Sequence, residues 1–540
     1  MTVNGAQPAA PESRPNKRKR GGPSGALLST GLISMAIIVP FAIVRAIAFM
    51  QVEQAIGIVA IVAAIAAVLM PSHDRPVNMR FFMAMLAIYI GAYVIWPPYV
   101  ALTLPVLPFI TPARVLLLLL LAGWIFTTAT ARSVHTRLWE RLDRSKPLWI
   151  AILVIIAFRI LAIPYSADPA LATKSLLDQC LSLFLPLIVA LTLIESERDI
   201  ALIGRVLIIA ALAISLTVIY EAITKHNLFV DHLSKLVSYK ARWLDLILTP
   251  TLRSNGKFRT QGPFTVPLSL AEFFTLVIPF LFYAFDKAKN LFARMGFVAL
   301  MALFEFGIIS TDSRTAMVTS VCLFGFYAVF RGAIYLRAHP KGDLKPLMFL
   351  FVAFIAMCIP VVLVFMLNKL GLGETLAAHG TRGAQLALGI PKVLKQPIIG
   401  YGSGMAGYVL DYKADGVHLT IDNYYLSVAL DAGIPALLAQ WVLQGWLLWT
   451  SLNGALRSSD IGRGRVYLTF FLYFVSFTLL RSTLSQTDNL SLSYIMMGVF
   501  AAFHTIASSA AKAENALAAE IAPVKRRRSR AWRLARPLST

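Results

Sequence analysis

The sequence predicts an all-α, polytopic membrane protein. Its 540 residues average a hydropathy of +0.70, and only 14% are charged, too few to give every helix a wettable face. Apolar runs of roughly twenty residues recur along the chain, each long enough to cross a bilayer core as a helix. The three cysteines, Cys180, Cys322 and Cys358, all sit inside such runs, so no disulfide framework or cysteine metal site follows.

About fourteen spans satisfy the length criterion. They cover 27–47, 52–70, 80–97, 113–130, 147–164, 174–194, 199–221, 265–285, 291–310, 314–336, 346–367, 424–450, 466–481 and 490–509. An even number puts both termini on one side. The connections Arg132–Lys146, Asp286–Asn290, Arg337–Lys345 and Arg457–Arg465 carry a basic excess, as cytoplasmic loops do. Residues 1–24 and 510–540 are polar, basic tails, expected to be mobile and cytoplasmic, flanking a single membrane domain over 25–509. The +23 net charge is accordingly read as topology and contact with anionic lipid, not as nucleic-acid binding. No cleavable signal is expected after Lys17-Arg18-Lys19-Arg20.

Two long connections fall outside: 223–264 and 368–423. The first holds seven Lys or Arg against two Asp. Long loops translocate largely regardless of charge, so external basic groups are compatible with this topology and can meet phosphate. The second is too long for a plain connector and is expected to fold. Ionisable residues inside spans are costly and default to functional candidates. Arg159, Asp178, Glu272 and Glu305, with Arg45, all fall in the outer halves of their spans, which suggests a polar interior opening outward. For Arg159 the structural alternative is snorkelling or pairing with an acid such as Asp178.

The motifs lie on the same side. Arg253–Phe264 (RSNGKFRTQGPF) runs into a span and places Arg259 and Gly262 at the membrane entrance. An arginine fork suits phosphate oxygens bidentately. Ser310–Ala316 (STDSRTA) joins two spans; Asp312 or Ser313 can cap the next helix, and Arg314 then stands at its anion-favouring N-terminus. In the late loop, Arg382 opens a helical pattern carrying Lys392 and Lys395 and ending at Pro397. Gly400-Tyr401-Gly402-Ser403-Gly404 follows, then His418, Asp422 and Asn423. The glycines lack the preceding strand of a dinucleotide fold and are read as a tight turn. No metal-ligand motif, phosphate loop or cofactor signature occurs.

Taken in order, these segments resemble the O-antigen ligase-like family, which includes O-antigen ligases and Wzy-type O-antigen and exopolysaccharide polymerases. The resemblance rests on Arg259-x-x-Gly262-x-Phe264, Ser313-Arg314, Arg382, Pro397-x-x-Gly400-Tyr401-Gly402-Ser403-Gly404, Asp422-Asn423-Tyr424-Tyr425-Leu426 and Gly433, and covers about 195–500. It implies a C-type glycosyltransferase fold and a polyprenyl-diphosphate-linked oligosaccharide donor at the outer face of the plasma (inner) membrane. Arg259, Arg314 and Arg382 would hold the diphosphate. Gly400, Tyr401, Gly402, Asn423 and Tyr425 would border the substrate. Implied partners are membrane lipids and proteins that regulate chain length and export; no metal or cofactor is implied.

Ligases of the family show His-Asn where this chain has Asp422-Asn423. Either Asp422 or His418 would then activate the acceptor hydroxyl, and the expected activity moves from ligase toward polymerase. Pro267-Leu268, where an Asn often follows the first motif, is a smaller departure. The alternative of another class is a flippase for lipid-linked glycans. That favours inverted repeats, broken helices in matching halves and polar groups at the midplane; no internal repeat is visible, and the loops are asymmetric.

Overall fold

A computed structural model describes residues 52–70, 76–101, 110–231, 252, 256–338, 381–413, 419–458 and 460–534. The expected spans 27–47 and 346–367, and His418, lie outside them. The other expected spans are all helices: α1 (Val52–Leu69), α2 (Met79–Ile95), α3 (Pro112–Thr130), then α4 (Arg132–Arg144), α5 (Lys146–Ala162), α6 (Pro169–Gln179) leading into α7 (Leu185–Leu193), α8 (Glu197–Thr224), α9 (Pro267–Lys287), α10 (Leu291–Ser310) and α11 (Arg314–Ala338). The late loop contributes α12 (Thr381–Lys395) and α13 (Ala406–Leu410), before α14 (Tyr424–Arg457), α15 (Ile461–Arg481) and α16 (Leu490–Leu534). Nine helices among the described residues are long and apolar enough to cross a membrane. Isolated bridges, Leu252 to Phe258 and Lys413 to Leu419, are the β pairing among the described residues.

Helices α9 and α16 are the most buried spans, and α14 packs along α5 and α15. Both α9 and α16 meet α15 through aromatic rings: Phe280 meets Phe470 and Tyr473, and Phe500 meets Phe470 and Phe474, edge-on or tilted. In lipid, apolar burial does not itself drive helices together, so this packing and the buried hydrogen bonds do the work. Between α6 and α7 the chain widens into a π-turn at Cys180–Phe184. Pro186 follows and has no N–H to give the regular i−4 bond.

Three differences from the sequence reading have physical causes. Arg132–Lys146, read as a loop, is mostly helix α4, amphipathic, with Val134, Leu138 and Arg141 turned inward. Arg141 caps the end of α7: its guanidinium donates to the carbonyls of Leu191, Thr192 and Ile194. The backbone stays helical beyond 509, through the expected mobile tail, to Leu534. Polarity there marks the end of the membrane, but Ala-rich sequence keeps helix propensity high. Finally, α14 is broken at Gly433 (φ 79°).

The charged connections gather at one end of the bundle. There Arg331 pairs with Asp286 at 2.9 Å, Arg337 donates to the carbonyls closing α14, and Arg463 pairs with Glu514. The motif-bearing segments gather at the opposite end.

Candidate functional site

The first arginine is held by its backbone neighbours. Arg259 Nε donates to the Thr311 carbonyl at 2.8 Å, and Thr260 N to the Ser310 carbonyl at 3.2 Å. The two motif loops therefore lie side by side, and Lys257 meets Asp312 at 3.0 Å across them. Below, the Glu221 carboxylate accepts from Gln261 N at 3.1 Å and Gly262 N at 2.8 Å. Glu221 is buried near the end of α8. It satisfies two amides that would otherwise be stranded at the membrane edge. Arg314 begins α11, half-buried, and its guanidinium has no hydrogen bond or ion pair to a described residue.

The late loop brings a second cationic group to a carboxylate. Arg382, on the first turn of α12, and Asp422 are both half-buried. Burial raises the Asp422 carboxyl above the ordinary aspartate value, and the Arg382 charge offsets part of that rise. Burial lowers the Arg382 guanidinium, opposed by Asp422. Asn423 caps α14, its Oδ1 accepting from Leu426 N at 3.0 Å. The Tyr425 hydroxyl joins helices, donating to Gln444 Oε1 at 2.8 Å and the Thr478 carbonyl at 3.2 Å.

The Gly-rich turn docks into the break in α14. Tyr401 N donates to the Leu430 carbonyl at 2.8 Å, Gly402 N to the Asp431 carbonyl at 2.9 Å, and Ile434 N to the Pro397 carbonyl at 2.7 Å. Groups freed by breaking a helix inside a membrane are thus re-satisfied by protein. The approach is close enough to demand glycine on both sides. A Cβ on Gly400 would lie 2.6 Å from Ala432 N, and one on Gly433 would collide with the Ile398 carbonyl. Gly400 and Gly402 are buried, and the Tyr401 hydroxyl donates to the Lys392 carbonyl at 2.8 Å.

The predicted intramembrane charges separate. Arg159 lies in this dock: Nη1 is 3.2 Å from Ser403 Oγ and 3.9 Å from an Asp431 carboxylate oxygen. Asp431 also accepts from Gly404 N and Ala406 N. The acid beside Arg159 is therefore Asp431, not Asp178, which is exposed on α6. Glu272 pairs with Arg481 at 2.8 Å, both side chains fully buried, and accepts from Asn489 Nδ2 at 3.0 Å. Glu305 accepts from Ser320 Oγ at 3.0 Å.

Sequence reasoning passed over Asp431, Arg481, Asn489, Glu221 and Gln385. Asp431 sits eight positions into an expected span, the signal that singled out Glu272. Arg481 closes a span end and was hidden by that place. These residues tie the motifs together. Thr265 N and Oγ1 donate to Asp488 at 3.0 and 2.5 Å, Asn489 and Arg481 converge on Glu272, and the Arg481 guanidinium lies 5.7 Å over the Tyr424 ring. From Arg259 to Asp422, the candidate site is thus underlain by hydrogen-bonded polar groups at one end of the bundle. Among the described residues, no three His, Cys, Asp or Glu side chains converge as a metal-ligand set.

No curated protein matches the chain. Residues 274–440 match the family model described as O-antigen ligase. That stretch contains Arg314, Arg382, the Gly-rich dock, Asp422 and the break at Gly433, while Arg259 precedes it. Over that stretch the chain is similar to the O-antigen ligase family, whose members transfer glycans, and its all-helical, multi-span fold agrees with that likeness.

Proposed function

We propose that the protein is a polysaccharide polymerase of the outer face of the plasma membrane, with both termini cytoplasmic. It transfers a polyprenyl-diphosphate-linked glycan to an acceptor sugar hydroxyl and releases polyprenyl diphosphate. The observation that carries this reading is that α12, which bears Arg382, is hydrogen-bonded to the backbone of Asp422 at the end of the bundle that also holds Arg259 and Arg314. Fixed guanidinium groups stabilise a departing diphosphate, and a neighbouring carboxylate takes the acceptor proton.

In the reaction the acceptor oxygen bonds to the anomeric carbon as the bond from that carbon to the diphosphate oxygen breaks. The hydroxyl proton goes to Asp422, and the electron pair leaves with the diphosphate. Arginines supply the positive charge that a metal supplies elsewhere. Holding donor and acceptor in line removes much of the entropic barrier. Membrane lipids surround the site, and proteins that set chain length and export the product act beside it.

A ligase reading is favoured by the description of the matching family model. Asp422, where the resemblance leads one to expect histidine in a ligase, favours polymerase. Deleting the gene separates the classes. A lost polymerase leaves single lipid-linked repeat units, a lost ligase leaves polymer on its lipid carrier, and a lost flippase strands units on the inner leaflet. Complementation with Arg314→Ala or Arg382→Ala should fail while the protein accumulates in the membrane. Normal polymer from both variants would overturn the site assignment.

A further inference from the structure

Gln385 stands one turn after Arg382 on α12 and is only 1% exposed. Its Oε1 accepts from the backbone N–H of Asp422 at 2.9 Å, and its Nε2 donates to the Thr420 carbonyl at 3.4 Å. One side-chain amide thus engages two backbone groups of the segment that presents the carboxylate. The rest of that segment is held from elsewhere. Ser485 Oγ donates to the Ile421 carbonyl, and Asn423 caps α14. Farther along, α12 docks by apolar contact, with Val393 in a small cluster with Leu426 and Leu430, and with Gly389 packed against Leu426. Lys392 Nζ also donates to the Val409 and Leu410 carbonyls, which ties the far half of the helix to α13 and not to residues 420–422. The Gln385 amide sets the first turns of α12 against residues 420–422, because its hydrogen bonds are directional and its side chain is buried.

We infer that Gln385 is a positioning residue for glycan transfer, setting the register of α12 against residues 420–422 so that Arg382 and Asp422 act as one unit. The inference rests on the polymerase reading above. A residue three positions along a helix shares its face, so the Gln385 bonds also set where the Arg382 side chain starts. A misplacement of about 1 Å in such a site costs about 100-fold in rate. Without the clamp, Asp422 also loses part of the Arg382 field that favours its ionised form.

The test uses purified full-length protein in proteoliposomes, with lipid-linked repeat units extracted from a strain lacking the gene. Gln385→Asn, one methylene too short for either bond, should lower kcat about 10- to 100-fold, with KM for the lipid-linked unit changed less than about threefold. The acid limb of its pH–rate profile should move to higher pH. Gln385→Glu keeps the shape and the bond from Asp422 N. It loses the donor to Thr420 and adds a negative charge, so its acid limb should also move up even if Gln385→Asn does not fold. An unmoved acid limb and wild-type specific activity in either folded variant would overturn the inference, since a purely structural role changes only the yield of folded protein. Asp422→Asn distinguishes the two levels. If it transfers glycan at the wild-type rate, the reading of the site fails. If it is inactive while Gln385→Glu matches wild type, only the positioning role fails.

Discussion

Removing Glu272 exposes what holds the floor of the candidate site together. Glu272 and Arg481 are both fully buried and 2.8 Å apart. Breaking such a pair by deleting one partner costs about 3–5 kcal/mol, because the other charge stays buried without compensation. Arg481 would keep its bond to the Gln486 carbonyl and its place over the Tyr424 and Phe477 rings, and Asn489 would keep the Ser269 carbonyl. The expected loss for Glu272→Ala is therefore at the lower end, about 3 kcal/mol, or roughly two orders of magnitude in the folding equilibrium. Replacing both partners with apolar residues of similar volume, Glu272→Leu with Arg481→Met, should recover most of it. The assay is reversible unfolding in mixed micelles, titrated with denaturing detergent and read as a double-mutant cycle. Single variants that each lose less than about 1 kcal/mol and add without coupling would refute this account of the floor.

Four further outcomes follow from the site. Gly433→Ala forces a left-handed backbone position onto a residue with a Cβ and drives that Cβ into the Ile398 carbonyl. It should undock the Gly-rich turn, read as protease sensitivity between residues 395 and 413 that wild type lacks. The Asp422 carboxyl is raised by burial, so activity should fall as pH falls through a value above about 3.9, the ordinary aspartate value. The same raised value means that ionised Asp422 costs stability as pH rises through it, so Asp422→Asn should unfold no more easily than wild type at pH 7. A chelator should leave transfer unchanged within about twofold; inhibition of the order of 100-fold or more, reversed by Mg²⁺, would assign part of the charge stabilisation to a metal.

The spans were legible because an apolar run of helical length has one inexpensive solution in a bilayer. The expected spans within the described residues follow the helices to within a few residues, except where helix continues past the membrane in α16. Arg132–Arg144 was not legible as helix from hydropathy, since its apolar stripe is narrow and its charges suggest a connector. The partners of the motif residues were the least legible part. Gln385 sits 37 residues from Asp422, and Glu221 sits 40 from Gln261. Such pairs are set by how helices stack, which short-range pattern does not encode. The pattern D-N-Y-Y-L was read for its family likeness, while its Asn423 does the local work of a helix cap. Gly433 carries no signal of its own in the sequence beyond the family likeness, yet its conformation creates the break into which the Gly-rich turn fits.

The central claim is that this end of the bundle breaks a glycosyl–diphosphate bond and makes a glycosidic one. Purified protein in proteoliposomes, supplied with lipid-linked repeat units and followed by mass spectrometry, tests it most directly. Lengthened glycan on the lipid carrier is expected, with one polyprenyl diphosphate released per bond formed, and loss of both products in Arg382→Ala. Movement of intact lipid-linked units between leaflets with no lengthening and no released carrier would contradict it.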